Sequence, residues 1–272
     1  MKTFLRMLLP LLTLVFFALT AYAQSVTDDD GFELIFADEF DLPDGSRPDP
    51  SRWQSCPREG ATWSRWISDT LAVAYIQDGS LVCRAILDLS KTTAPATMLT
   101  GAVETRDHFS FTYGKVEVRL RTDQHAGNFP AAWMMPQPPC KGWPRGGEID
   151  IFETIDTQDT SYHTVHSHWT YNLGHRNEPR HSFSRPTTVG QWHIYGLEWT
   201  EDSMTWTVDG SPVGSYRRST DPDAVANGQW PFNHPFYLIL NQSVGDGTWA
   251  KPADVHYVYS TRFDWVRVYQ RR

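Results

Sequence analysis

Residues 204–216 read MTWTVDGSPVGSY, two alternating runs on either side of Asp209-Gly210. A period of two is the side-chain repeat of a β-strand, and Asp-Gly between two such runs is the signal of a tight hairpin turn. The same alternation recurs along the chain in GSLVCRAIL (79–87), GKVEVRLRT (114–122), GEIDIFE (147–153) and YHTVHSHW (162–169). It continues in HIYGLEWT (193–200), FYLILNQSV (236–244) and FDWVRVYQ (263–270). Helical periodicity is confined to a turn at DPDAVANG (221–228), and 18 prolines with 18 glycines punctuate the rest. The chain is therefore expected to be all-β, with two stacked antiparallel sheets favoured over a barrel or a propeller.

The first 23 residues run from a basic start (Lys2, Arg6) through MLLPLLTLVFFAL to AYA, the pattern of a cleaved secretory signal peptide. Residues 24–31 form a short acidic lead-in, and 32–272 are expected to be a single domain of ordinary size for a large sandwich. The product is expected to be exported, periplasmic or extracellular, and monomeric. The residue directly after the cleavage point is Gln24 rather than a cysteine and no later run of 18 apolar residues occurs, so neither a lipid anchor nor membrane insertion is expected.

Formal net charge is −8, and loss of Lys2 and Arg6 leaves 22 basic and 32 acidic residues, or −10. That balance disfavours nucleic acid and anionic membrane surfaces as partners and suits a neutral or cationic ligand. Cys56, Cys83 and Cys140 carry no metal-ligand spacing and allow at most one disulfide, whose pairing the sequence leaves open. Twelve Trp, 11 Tyr and 14 Phe make up 14% of the chain, more aromatic surface than packing alone needs. Outward-facing rings suit the flat faces of sugars.

GEIDIFE places three carboxylates in a stretch otherwise fit for a buried strand. Strict alternation would put Glu148 and Asp150 on one face, Ile149 and Ile151 in the core, and Glu153 in the core as well. A buried unpaired Glu costs on the order of several kcal/mol, so a one-residue bulge around Ile151 and Phe152 is expected to return Glu153 to the acidic face. Three aligned carboxylates suit a retaining glycosidase, in which a nucleophilic carboxylate and a protonated one sit about 5–5.5 Å apart across the scissile bond. Crowding raises at least one pKa, which keeps one Glu protonated. The plainer reading of the bare pattern is a solvated strand face, because short motifs recur by chance.

The neighbourhood of the motif resembles glycoside hydrolase family 16, the group of laminarinases, lichenases, agarases, porphyranases and carrageenases. The likeness rests on FPAAWMMP (129–136), YGKVEVRLRT, GEIDIFE, HSHW and FDWVRVYQ, in the family's order, and runs from FADEF (36–40) to Tyr269. The resemblance implies a concanavalin-like β-jelly-roll sandwich with a concave sugar-binding cleft. It further implies Glu148 as nucleophile, Glu153 as acid/base, and Asp150 as the residue that tunes the nucleophile. His166 matches the family's histidine near the acid/base, with His168 on the same face as its alternative. Trp133 resembles the sugar-stacking platform, Trp143 flanks it, and Asn241 falls where relatives line the cleft. No cofactor for catalysis is implied, and a structural Ca²⁺ is, with Asp264 and backbone oxygens near Glu39 and Gly79 as ligands.

Glucan-cleaving members carry an NNELQ-like segment that is missing here; the region reads ATWSRWISDT (61–70), with Trp63, Arg65 and Trp66 clustered. That cluster either reads a sugar bearing axial hydroxyls or an anionic group, or is a core Trp pair with Arg65 at its rim. The likeness extends to exported gut-bacterial enzymes, for which β-galactosides such as mucin O-glycans or poly-N-acetyllactosamine are expected targets beside β-glucan, cleaved at β-1,3 or β-1,4 linkages. Arg65, Arg145 or Arg176 would have to offset the acidic surface for a sulfated polymer. The competing reading is a non-catalytic carbohydrate-binding protein on the same sandwich. Three crowded carboxylates argue against it, since binding alone has no use for their repulsion.

Overall fold

The computed structural model describes residues 31–272; the expected signal peptide and nearly all of the expected acidic lead-in lie outside the described residues. In chain order the strands are β1 (Phe32–Asp38), β2 (Gln54–Ser55), β3 (Ala74–Ile76), β4 (Leu81–Leu87), β5 (Met98–Thr100), β6 (Ala102–Glu104), β7 (Gly114–Thr122) and β8 (Asn128–Pro136). They continue as β9 (Glu148–Glu153), β10 (Thr160–His166), β11 (Ser182–Pro186), β12 (His193–Trp199), β13 (Ser203–Val208), β14 (Ser211–Arg217), β15 (Phe236–Val244) and β16 (Tyr259–Arg271). A π-helical turn, His168–Asn172, follows β10, and α1 (Pro222–Ala226) precedes β15. Asp221 caps α1 by accepting from the Asp223 N–H, which is why the Asp-Pro start at 221–222 reads as a helix N-terminus.

These strands build two antiparallel sheets, the sandwich expected from the alternation. One sheet runs β14-β13-β12-β7-β16-β4-β3, with β1 also on β16 and β5 on β4; the other runs β11-β10-β9-β8-β15-β6-β2. On β7, Val116, Val118 and Leu120 are fully buried while Lys115, Glu117 and Arg119 keep partial contact with solvent. The buried row meets Ile149, Ile151, Leu238 and Leu240 from the second sheet in one core, with Trp199 and Trp206 among its largest members. Each such side chain contributes roughly 1.5–3 kcal/mol on burial, so a one-residue slip of any central strand would exchange core for solvent. Asp209 and Gly210 both hold positive φ (51° and 73°), the backbone a two-residue hairpin turn requires.

The catalytic-motif strand β9 lies between β8 and β10 in the second sheet. Trp133 pairs with Asp150 and Ala132 with Phe152, so Ile151 is the extra residue of a bulge. Ile151 and Phe152 are both fully buried, and Glu153 returns to the outer face beside Glu148. The bulge expected from the cost of burying Glu153 is thus present, at the expected place. Cys56, Cys83 and Cys140 are all free thiols, the first two buried in separate clusters.

Two acidic residues of the segments expected to hold calcium are engaged in ion pairs. Strand pairing brings the three segments near one another, through Asp38 opposite Val266 and Leu81 opposite Phe263. The Asp264 carboxylate, however, is taken by the Arg119 guanidinium, and Glu39 is held by Arg267 through two hydrogen bonds of 2.8 and 2.9 Å. Of the expected ligands, the one carboxylate is thus already neutralised by Arg119.

Candidate active site

A bulge leaves backbone carbonyls of the strand without ladder partners, and two buried side chains answer them here. His163 Nδ1 lies 2.7 Å from the Ile151 carbonyl oxygen, and Trp206 Nε1 donates to the Asp150 carbonyl at 2.8 Å. Burial depresses the pKa of His163 to about 4, so the ring is neutral. Its proton sits on Nδ1, where the acceptor is, and Nε2 faces Ser161 Oγ at 3.0 Å. The bulge is therefore a held shape. At its other end Gly147, at φ +91°, passes the Phe232 ring so closely that a Cβ would come within 2.8 Å of it.

The held strand presents Glu148, Asp150 and Glu153 to a cleft of about 670 Å³ that crosses β9, β10 and β11, with Glu148 and Glu153 in its wall. Asp150 is 2% exposed and lies behind them, its Oδ2 3.4 Å from His166 Nε2. His166, directly opposite Glu148 across the β9–β10 ladder, also stands 3.7 Å from Glu148 Oε1. Burial opposes charge on His166, but Glu148, Asp150 and Glu153 outweigh it and push its pKa up to about 10. The imidazolium is thus the counter-ion of the acidic set, whose Glu148, Asp150 and His166 polar atoms lie within 4.8 Å of one another.

The two glutamates have different surroundings. Burial, then the charge of Asp150, raises the pKa of Glu148 to about 7, while His166 and a 2.5 Å hydrogen bond from Trp143 Nε1 pull the other way. Burial and Asp150 push Glu153 well above the usual carboxylate range, with His166 opposing; among the described residues it accepts no side-chain hydrogen bond. Glu148 is thereby favoured as the ionised member and Glu153 as the protonated one.

Trp133, directly opposite Asp150 across the β8–β9 ladder, shares the acids' face and is covered by Trp63: it is 5% exposed, donates Nε1 to Asn241 Oδ1 at 2.8 Å and meets Trp63 edge-on at 4.8 Å. Asn241 is buried too, its amide spent on Trp133 and on Ser243 Oγ, which in turn donates to the Trp63 carbonyl. Both line a hollow of about 60 Å³ together with Glu148, Asp150 and Glu153, and through these hydrogen bonds Asn241 positions the two tryptophans there. Trp143, 46% exposed, does flank the acids, packed edge-on against Tyr171 at 4.5 Å.

Three expected placements are corrected. His168 does not share the face of His166, because β10 ends at His166 and His168 opens the π-helical turn, bonded to Asn172 at 2.9 Å. Arg65 does not read ligand: its guanidinium is taken by the carbonyls of Thr62 and Gly245 and lies 4.2 Å over the Trp66 ring. Trp66 packs with Tyr257 against the buried Ala85, Met98, Val244 and Tyr259. Of the trio only Trp63 reaches the cleft.

The structure adds cleft residues that the sequence did not single out, among them Phe129, Tyr162, Tyr171, Trp249 and His181. Tyr162 stands opposite Glu153 on β10 and meets Trp249, which meets Phe129, at 5.7 and 5.1 Å. Exposed Trp249 was visible only as part of the aromatic excess, and Tyr171 sits on a π-turn that no periodicity signals.

Comparison with known proteins agrees with this geometry. The profile of the family described as "Glycosyl hydrolases family 16" matches residues 69–267. A keratan-sulfate endo-1,4-beta-galactosidase of Sphingobacterium multivorum is 34% identical over 93% of this chain, which spans 58% of that relative's length. A beta-glucanase of Rhodothermus marinus is 33% identical, covering 88% of this chain and 85% of its own. The solved structure of SCLam, a non-specific endo-beta-1,3(4)-glucanase, superposes with a TM-score of 0.77 at 28% identity, covering 92% of this chain and 95% of that one.

Proposed function

The chain belongs to glycosyl hydrolase family 16, and from that premise we propose that it is an endo-acting, retaining β-glycosidase whose substrate is a β-galactoside chain of the poly-N-acetyllactosamine or mucin O-glycan kind. The observation that carries the reading is the bulged strand, which brings Glu148 and Glu153 to one cleft in unlike surroundings. A cleft open at the surface admits the middle of a chain, which is the requirement for endo cleavage.

In this mechanism the Glu148 carboxylate attacks the anomeric carbon while Glu153 gives its proton to the departing glycosidic oxygen. The glycosyl ester on Glu148 is then hydrolysed by a water that Glu153, now ionised, deprotonates, and the two inversions return a β product. Trp143 Nε1 holds one oxygen of Glu148 and leaves the other for attack. His166 and Asp150 keep the charge of the set in balance. Both reacting groups are carboxyls of the chain, so the chemistry draws on no cofactor. The partner is the glycan, a monomer suffices because the cleft is complete within one chain, and export is inferred from the N-terminal sequence alone.

Galactoside is preferred over glucan because the NNELQ-like segment is missing and because the keratan-sulfate-cleaving relative aligns over 93% of the chain. Glucan is the second reading, favoured by the Rhodothermus relative. Incubation of wild type and Glu148→Gln with laminarin, mixed-linkage β-glucan, agarose, porphyran and mucin O-glycans, read by mass spectrometry, separates them. Oligosaccharides from mucin glycans with wild type alone are expected; products only from laminarin or mixed-linkage glucan would move the assignment to a glucanase, and silence everywhere would favour a binding protein.

A further inference from the structure

We propose that Arg176 anchors an anionic substituent, a sulfate ester or a carboxylate, on a sugar bound over β10 and β11. The inference rests on the galactoside reading above and names the decoration that reading leaves open. Of the arginines able to offset an acidic surface, Arg65 is spent on two carbonyls and Arg145 faces a separate hollow with Lys141 and His234. Arg176 lines the cleft that holds Glu148 and Glu153.

Its side chain is exposed, and among the described residues no carboxylate pairs with it and no hydrogen bond holds its guanidinium. Most arginines elsewhere are committed, as Arg52, Arg106, Arg218 and Arg262 are to Asp or Glu. Glu178, the nearest acid in sequence, faces His175 at 3.3 Å. Arg176 is fixed through its backbone, whose carbonyl accepts from His181 Nδ1 at 2.8 Å. His181 and the His166 imidazolium stand 6.4 Å apart, ring centre to ring centre, on the same flank. An otherwise acidic molecule thus keeps one unneutralised, fork-shaped donor in its cleft, the chemistry that matches an oxyanion in two-point contact.

The test compares kcat/KM for three matched poly-N-acetyllactosamine oligosaccharides, neutral, 6-sulfated and sialylated, in wild type, Arg176→Gln and Arg176→Lys. Wild type is expected to prefer one charged form, which identifies the source of the anion, and the charged-to-neutral ratio is expected to fall about tenfold in Arg176→Gln and less in Arg176→Lys. The wild-type ratio should also fall as salt rises, because the contact is exposed. A ratio unchanged by either substitution, with all three chains cleaved, overturns the inference and leaves the galactoside reading standing. Cleavage of glucans alone removes both.

Discussion

Trp143 gives Glu148 a proton donor that Glu153 lacks, and the division of labour between two chemically identical side chains follows from that and from His166. The hydrogen bond favours the ionised form, so Trp143→Phe, which keeps an aromatic ring and loses Nε1, should raise the pKa of Glu148 above its present value of about 7. Activity needs Glu148 ionised; the acidic limb of kcat/KM should therefore move to higher pH, with about a tenfold loss at pH 6 and an unmoved alkaline limb. A pH profile superimposable on wild type would show that the indole does not act on the carboxylate. Glu148→Gln and Glu153→Gln should each lower turnover by several orders of magnitude with sugar binding retained. Azide should rescue Glu148→Ala with release of a glycosyl azide of inverted configuration, whereas in Glu153→Ala it would displace the ester on Glu148 and give the azide of retained configuration. A near-normal rate in one Gln variant would remove that residue from its role, and near-normal rates in both would overturn the site.

In the proposed mechanism strand β9 can serve as the catalytic element because its neighbours hold a defect in it. His163→Ala leaves the Ile151 carbonyl buried without its donor, at a cost of about 1–3 kcal/mol, which lowers Tm by several degrees in a domain of this length. Turnover should fall further than stability explains, because Glu153 rides on the bulge; a variant that melts like wild type and turns over normally would contradict the support assigned to His163. The bulge itself was legible in GEIDIFE, since alternation alone would have buried Glu153. Its support was not: His163 sits in a strand where any buried residue satisfies the pattern, and only the partner strand shows which carbonyl it meets. The same limit explains His168, which continues the alternation of YHTVHSHW on paper but lies in a π-turn closed by Ser167 and Thr170. It explains Arg65 as well, because two backbone carbonyls from residues 62 and 245 leave no trace in local sequence.

Across the molecule, the sandwich was readable because half-buried strands expose their period, and the cleft was not because its walls come from segments far apart in the chain. Trp63, Trp143, Tyr171 and Trp249 line the cleft around the acids from three loops and the π-helical turn. Their rings account for part of the aromatic excess, while others, Trp53, Trp199, Trp206 and Trp230 among them, are spent on the core. An acidic surface with its only uncommitted cleft cation, among the described residues, at Arg176 sets the charge pattern against which a glycan must bind. The central claim is double displacement by Glu148 and Glu153 within one open cleft, and proton NMR of the first reducing ends released from the substrate found in the product screen tests it most directly. The account predicts that the β-anomer appears first and the α-anomer only later by mutarotation, whereas α-anomer as the initial product would mean a single displacement and would contradict it.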